Sequence, residues 1–152
     1  MDIVFYQLTA TSMEKTLPKL LEKAYDAGQR AVVLVDSEER LAVLNASLWT
    51  YSTLAFLPHG CEKDSAGNAD RQPIWLTTRF ENPNQADVLV ITSGETVTRD
   101  DLGFQKCLDI FDGNNQDTLD QARLRAQSYQ EKGHTCTYWR QTLQGQWENL
   151  RL

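Results

Sequence analysis

The chain has 152 residues, 41% of them hydrophobic and 24% charged, with a formal net charge of −6. That composition suits one globular domain with a core of ordinary size. It argues against broad binding to a phosphate backbone, which needs many Lys and Arg side chains on one face. Asp2 to Leu8 is a short apolar run rich in β-formers and reads as a first strand. Thr11 and Glu14 have the spacing of a capping box. Met13, Leu17, Leu20, Leu21, Ala24 and Tyr25 then fall on one helical face. Pro18 is awkward there and predicts that the regular helix begins near Thr16, with the proline in its first turn. Gly28 ends the helix.

Ala31 to Val35 is continuously apolar, as a buried parallel strand requires. Ser37 can cap the next helix, with Glu38 and Glu39 in its first turn and Leu41, Leu44, Leu48 and Trp49 as its buried stripe. The helix runs into Tyr51-Ser52-Thr53-Leu54-Ala55-Phe56-Leu57-Pro58-His59-Gly60, an aromatic-rich loop closed by a proline. Its aromatics can be read two ways. They can close the core under a long loop, or some can stay outside as an anchor for another protein. His59, next to Pro58, reads as a buried hydrogen-bonding residue that fixes the loop. The segment Cys61 to Gln72 is polar.

Ile74 to Thr77 and Val88 to Thr92 read as further buried strands, joined by a polar connection containing Pro83. Glu95 to Phe104 is ambiguous: Thr98 followed by Asp100, Asp101 and Leu102 suits a short helix or turn. Leu108 to Phe111 is a strand that ends in the turn-rich Asp112-Gly113-Asn114-Asn115. Asp117, with Asp120 three residues on, opens a last helix whose inner face is Leu119, Ala122, Ala126 and Tyr129. Gly133 stops it, and His134 to Thr142 forms a final strand. The tail after about residue 143, which includes Trp147, is expected to be partly ordered at best. Strands alternate with helices and the central strands are solidly apolar, so the pattern predicts an α/β fold: three layers, α/β/α, around a mostly parallel sheet, in one domain over 1–152.

Chemistry-bearing motifs are missing. The turn after the first strand, Leu8-Thr9-Ala10-Thr11-Ser12, has no glycine to let a pyrophosphate approach. There is no P-loop and no nucleophile elbow. Cys61, Cys107 and Cys136 are far apart and read as reduced structural thiols, and His59 and His134 add no metal-ligand spacing. No catalytic residue, metal or cofactor is therefore expected. Asp36 and Asp112 at strand ends read as turn or cap residues. With no apolar run of spanning length and no leader pattern, a cytoplasmic location is the default.

Leu48-Trp49, six further residues, then Phe56-Leu57-Pro58-His59 resembles the signature of the chi subunit of bacterial DNA polymerase III holoenzyme. The flanks agree in order: Phe5-Tyr6-Gln7-Leu8, Ala27-Gly28-Gln29-Arg30-Ala31-Val32-Val33-Leu34, Pro73-Ile74-Trp75-Leu76 and Ala86-Asp87-Val88-Leu89-Val90-Ile91. The resemblance implies a non-catalytic adaptor of the clamp-loader complex in DNA replication. One implied partner is the acidic C-terminal tail of single-stranded-DNA-binding protein, which ends in Ile-Pro-Phe. It would meet Phe111 through its ring and Arg123 through its carboxylate, with Arg125, Gln127 and Lys132 nearby. Two positions that are aromatic and basic in the best-known members are Ala126 and Gln127 here, so the implied grip is either weaker or carried by Arg125 and Lys132 instead. The second implied partner is the psi subunit or an XPD-like helicase, at Trp49, Phe56, Leu57, Pro58 and His59. Read without the resemblance, the same helix cations are a solvated face; the alternative functions are a nucleotide-binding enzyme or sensor of Rossmann-like fold, or a divergent chi-like protein serving an accessory helicase.

Overall fold

The computed structural model describes residues 1–51, 57–62, 68–98 and 102–150. Within them, eight strands form one sheet: β1 (Asp2–Leu8), β2 (Ala31–Leu34), β3 (Gly60–Cys61), β4 (Ile74–Thr77), β5 (Val88–Ile91), β6 (Lys106–Asp112), β7 (Thr135–Gln141) and β8 (Trp147–Leu150). Their spatial order is β3-β4-β2-β5-β6-β1-β7-β8, parallel throughout except for the β7–β8 hairpin. Helices α1 (Met13–Asp26) and α2 (Glu38–Thr50) cover one face and α3 (Gln116–Glu131) the other.

Strand alternation explains the three layers. Val4 and Leu8 join Val33, Val88 and Val90 under α1 and α2, where Leu17, Leu21, Leu44 and Leu48 fill the space. Ile3 and Phe5 point the other way, with Val32, Leu89, Ile91 and Phe111, beneath Ala122, Ala126 and Tyr129 of α3. A strand buried on both faces has no polar side to show, which is why β2 and β5 read as unbroken apolar runs.

The first helix corrects three expectations. It begins at Met13, after Ser12, and Pro18 lies inside it; no side chain caps its start. A proline there removes the donor that would meet the Glu14 carbonyl four residues back. Ser47 of α2 supplies the replacement, donating from Oγ to that carbonyl at 2.5 Å. The helix–helix contact thus satisfies the group the proline left open. Tyr25, expected on the buried stripe, is exposed.

Gly28 and Gly133 end α1 and α3 at φ +76° and +85°. In each case the two residues after the cap donate back into the last turn: Gly28 to Tyr25 and Gln29 to Ala24, then Gly133 to Gln130 and His134 to Tyr129. This double closure needs a left-handed residue that glycine adopts without strain.

Three further differences concern local ends. The cap of α3 is Asn115, whose side chain accepts from the Thr118 N–H, so the helix starts before Asp117. The stretch after Thr142 is not a loose tail. Gly145, at φ +85°, turns the chain so that the Thr142 N–H reaches the Gln146 carbonyl at 2.7 Å, and β8 pairs with β7. Trp147 packs edge-on against Tyr6 with ring centroids 5.4 Å apart, which anchors the hairpin to the sheet. In the ambiguous stretch before β6, residues 94–98 are irregular and Leu102 lies in a turn; residues 99–101 lie outside the described residues.

Candidate functional site

Trp49 stands at the last turn of α2, and 52% of its surface is exposed. Expected on the buried stripe, it leaves that role to Leu41, Leu44 and Leu48, because position 49 is rotated away from them around the helix. Its ring rests on His59, with centroids 4.5 Å apart and planes at 53°. His59 is buried, and its Nδ1 lies 2.7 Å from the Leu57 carbonyl. A carbonyl only accepts, so Nδ1 carries the proton. The imidazole ties the loop to its own backbone and offers a fixed plane to the indole. Leu57 is 1% exposed and belongs to the core, so it seats the loop and presents nothing to a partner. Pro58 is partly exposed beside it. Phe56 lies outside the described residues.

The second set of residues gathers around α3. Ala122, Ala126 and Tyr129 are buried against the sheet, and the Tyr129 hydroxyl accepts from the Val97 N–H at 2.9 Å. Arg123, Gln127 and Lys132 are exposed. Arg125 is not part of a solvated face. It is 7% exposed and grips the fully buried Asp109 of β6 with two bonds, Nε to Oδ2 at 2.8 Å and Nη2 to Oδ1 at 3.0 Å. Burial pushes the Asp109 carboxyl up, and Arg125 pulls it back. Such a pair holds α3 to the sheet; its charge is already matched.

Phe111 is also buried, with its ring against Phe5 and Tyr138. Phe111 and Arg125 both line a cleft of about 800 Å³ at the carboxyl ends of β1 and β6, but Arg123 does not. The expected pairing of Phe111 with Arg123 in one pocket is therefore not what this cleft provides. Arg123 is exposed outside it; burial pushes the phenol of Tyr138 on β7 up to about 12, while the charges of Arg123 and Arg140 pull it down.

The cleft is where open α/β sheets hold nucleotides. Here the loop donors that would meet a pyrophosphate are already engaged. The N–H groups of Thr9, Ala10 and Thr11 all donate to Gln141 Oε1, at 3.1, 2.9 and 3.0 Å. Gln141 Nε2 in turn donates to Thr11 Oγ1 at 2.9 Å. Three successive N–H groups converging on one oxygen form an anion-type nest, filled by an uncharged side chain from the end of β7. Sequence reading missed Gln141, because a lone glutamine at a strand end carries no local signal. Asp112 accepts from the Asn114 N–H, as a turn residue does, and Asp36 is exposed. Among the described residues no group of His, Cys, Asp or Glu is arranged to hold a metal ion, and no helix is long and apolar enough to cross a membrane.

Comparison with known proteins bears on these surfaces. The family described as DNA polymerase III chi subunit, HolC, matches residues 1–137. A protein of Rickettsia prowazekii (strain Madrid E) named "Probable DNA polymerase III subunit chi" is 38% identical over 85 residues, which are 56% of this chain and 50% of that protein. The chain thus spans about half the length of that curated relative. The chain belongs to the DNA polymerase III chi subunit family.

Proposed function

We propose that this member of the chi family is a non-catalytic adaptor in DNA replication, with one docking face on each side of the molecule. Family membership supports an accessory role in replication. On one side, Trp49, Pro58 and the loop around Phe56 meet the psi subunit of the clamp loader or an XPD-like helicase. On the other, Arg123 meets the acidic tail of single-stranded-DNA-binding protein, with Gln127 and Lys132 along the exposed side of α3. Two weak tethers on one small domain raise effective concentration at the fork without a catalytic step.

The observation that carries the reading is Trp49. A half-exposed indole resting on a buried imidazole presents apolar surface outward. Tryptophan in that setting is a frequent interface anchor, because it buries a large area with little loss of rotamer freedom. Trp49→Ala should weaken psi binding by about 2 kcal/mol or more, measured by titration calorimetry. It should cost folding less than about 1 kcal/mol, against the roughly 3–5 kcal/mol of a core tryptophan. A large fall in the urea midpoint would place the ring in the core and remove the argument.

The nucleotide-binding alternative is disfavoured by the filled nest at Thr9–Thr11. A thermal-shift series with nucleotides and with the tail peptide separates the two, since a ligand that binds only the folded state raises the melting temperature.

A further inference from the structure

Among the described residues, α3 exposes Arg123 and β7 exposes Arg140. Tyr138, 4% exposed, lies two positions before Arg140 on β7, so both stand on the face of the sheet that α3 covers, and the charges of Arg123 and Arg140 work against the rise that burial gives its phenol. The Tyr138 hydroxyl donates to Gln7 Oε1 at 2.6 Å. That bond fixes the amide so that Nε2 lies over Gly113, where an added Cβ would come within 2.8 Å of it. Gln7 stands directly across the sheet from Arg140. Arg140 is occupied at present: its Nε and Nη2 both donate to Glu148 Oε1 of β8, at 2.8 and 2.5 Å. Both side chains of that pair are nearly half exposed, 46% and 44%.

We infer that Arg140 is a second cation for an acidic peptide lying between α3 and β7, and that Glu148 is its built-in competitor. The inference rests on the tail-binding reading of Arg123 and extends it to residues no motif indicates. The chemistry is an exchange of like for like. Arg140 leaves one carboxylate, Glu148, for another on the peptide, so little is lost in an exposed pair. Arg123 takes the terminal carboxylate and Arg140 takes an upstream aspartate. An acidic peptide fits better than a nucleic acid, because two cations on a chain of net charge −6 cannot track a phosphate backbone. The competitor also confers selectivity: a peptide with no acidic side chain upstream of its C-terminus cannot displace Glu148, whereas a run of aspartates can.

The test is fluorescence anisotropy on the full chain with a labelled peptide of aspartates ending in Ile-Pro-Phe, and with a copy carrying asparagines in place of the aspartates. Glu148→Gln should tighten binding of the acidic peptide about two- to five-fold, the range an exposed ion pair commands. Arg140→Ala should weaken it by a similar factor. Neither should alter binding of the asparagine peptide, and neither should move the thermal midpoint by more than a surface change does. If both variants bind as wild type while Arg123→Glu loses binding, the second cation is wrong and the tail reading stands. If wild type and Arg123→Glu bind the peptide alike, or neither binds, the tail reading fails and this inference falls with it. Tighter binding of single-stranded DNA than of the peptide by Glu148→Gln would also overturn it.

Discussion

Gln141→Ala tests the account of the filled nest most directly. The substitution removes the one acceptor shared by the N–H groups of Thr9, Ala10 and Thr11, and the donor to Thr11 Oγ1. A net hydrogen bond contributes about 0.5–1.5 kcal/mol, so three lost backbone partners come to roughly 1.5–4.5 kcal/mol. Gln141 is 4% exposed but the loop opens on the large cleft. Water from the cleft can reach some of the stranded donors, which places the expected loss at about 2–3 kcal/mol. For a domain of this size that lowers the melting temperature by about 4–12 °C. Urea melts followed by circular dichroism should show a lower midpoint with an unchanged slope. The emptied nest should also take up an inorganic anion, so sulfate should raise the variant's midpoint more than that of the wild type. Gln141→Glu supplies the converse. A carboxylate accepting three N–H groups has a pKa depressed well below the unfolded value of about 4.3. Its added stability is then present above that value and is lost as pH falls through the folded pKa. A Gln141→Ala midpoint within error of wild type would refute the reasoning, because it would mean the three donors never depended on this side chain.

Other consequences follow from the same packing. Arg125→Met strands Asp109 in the core and should cost about 3–5 kcal/mol in a urea melt, whereas Arg125→Met with Asp109→Leu should recover much of it. For the same reason a charge reversal at Arg125 reports on folding, and Lys19→Glu, at an exposed cation of α1 on the opposite face of the sheet, is the proper control for Arg123→Glu in peptide binding. Ser47→Ala removes the donor that compensates Pro18 and should cost about 1 kcal/mol, a loss that Pro18→Ala in the same chain should offset. Tyr138 has its folded pKa raised to about 12 by burial, so its share of stability is complete below about pH 10 and falls away as pH rises toward the folded value. Tyr129 shifts in the same direction. Thermal melts across that alkaline range check the window, and a midpoint flat through it would contradict the burial of both rings.

Most of the scaffold was legible in the chain because its determinants are local. An apolar run with no polar side can only be a strand covered on both faces, so β1, β2, β4 and β5 were placed within a residue of their observed ends. Ser37, Gly28 and Gly133 end or begin helices by chemistry confined to a few neighbours. The family resemblance was legible for a similar reason, since the Trp49 and Pro58-His59 spacing is linear. What the sequence left open depended on residues far apart along the chain. Helix periodicity leaves Trp49 at the margin of the apolar stripe, about 100° around the helix from Leu48, and only the meeting with His59 decides that its ring rests outside on the imidazole. Arg123 and Arg125 are two positions apart and look alike in the sequence. The helix turns by about 200° between them, which sends one to solvent and the other to Asp109. Pro18 was tolerated because of Ser47, and the β1–α1 loop was closed by Gln141, 130 residues beyond Thr11. Short-range patterns determine which segments become helices and strands. Which groups those elements leave exposed, paired or spent is decided only when distant segments meet, because a hydrogen bond or a desolvated charge takes its value from its partner.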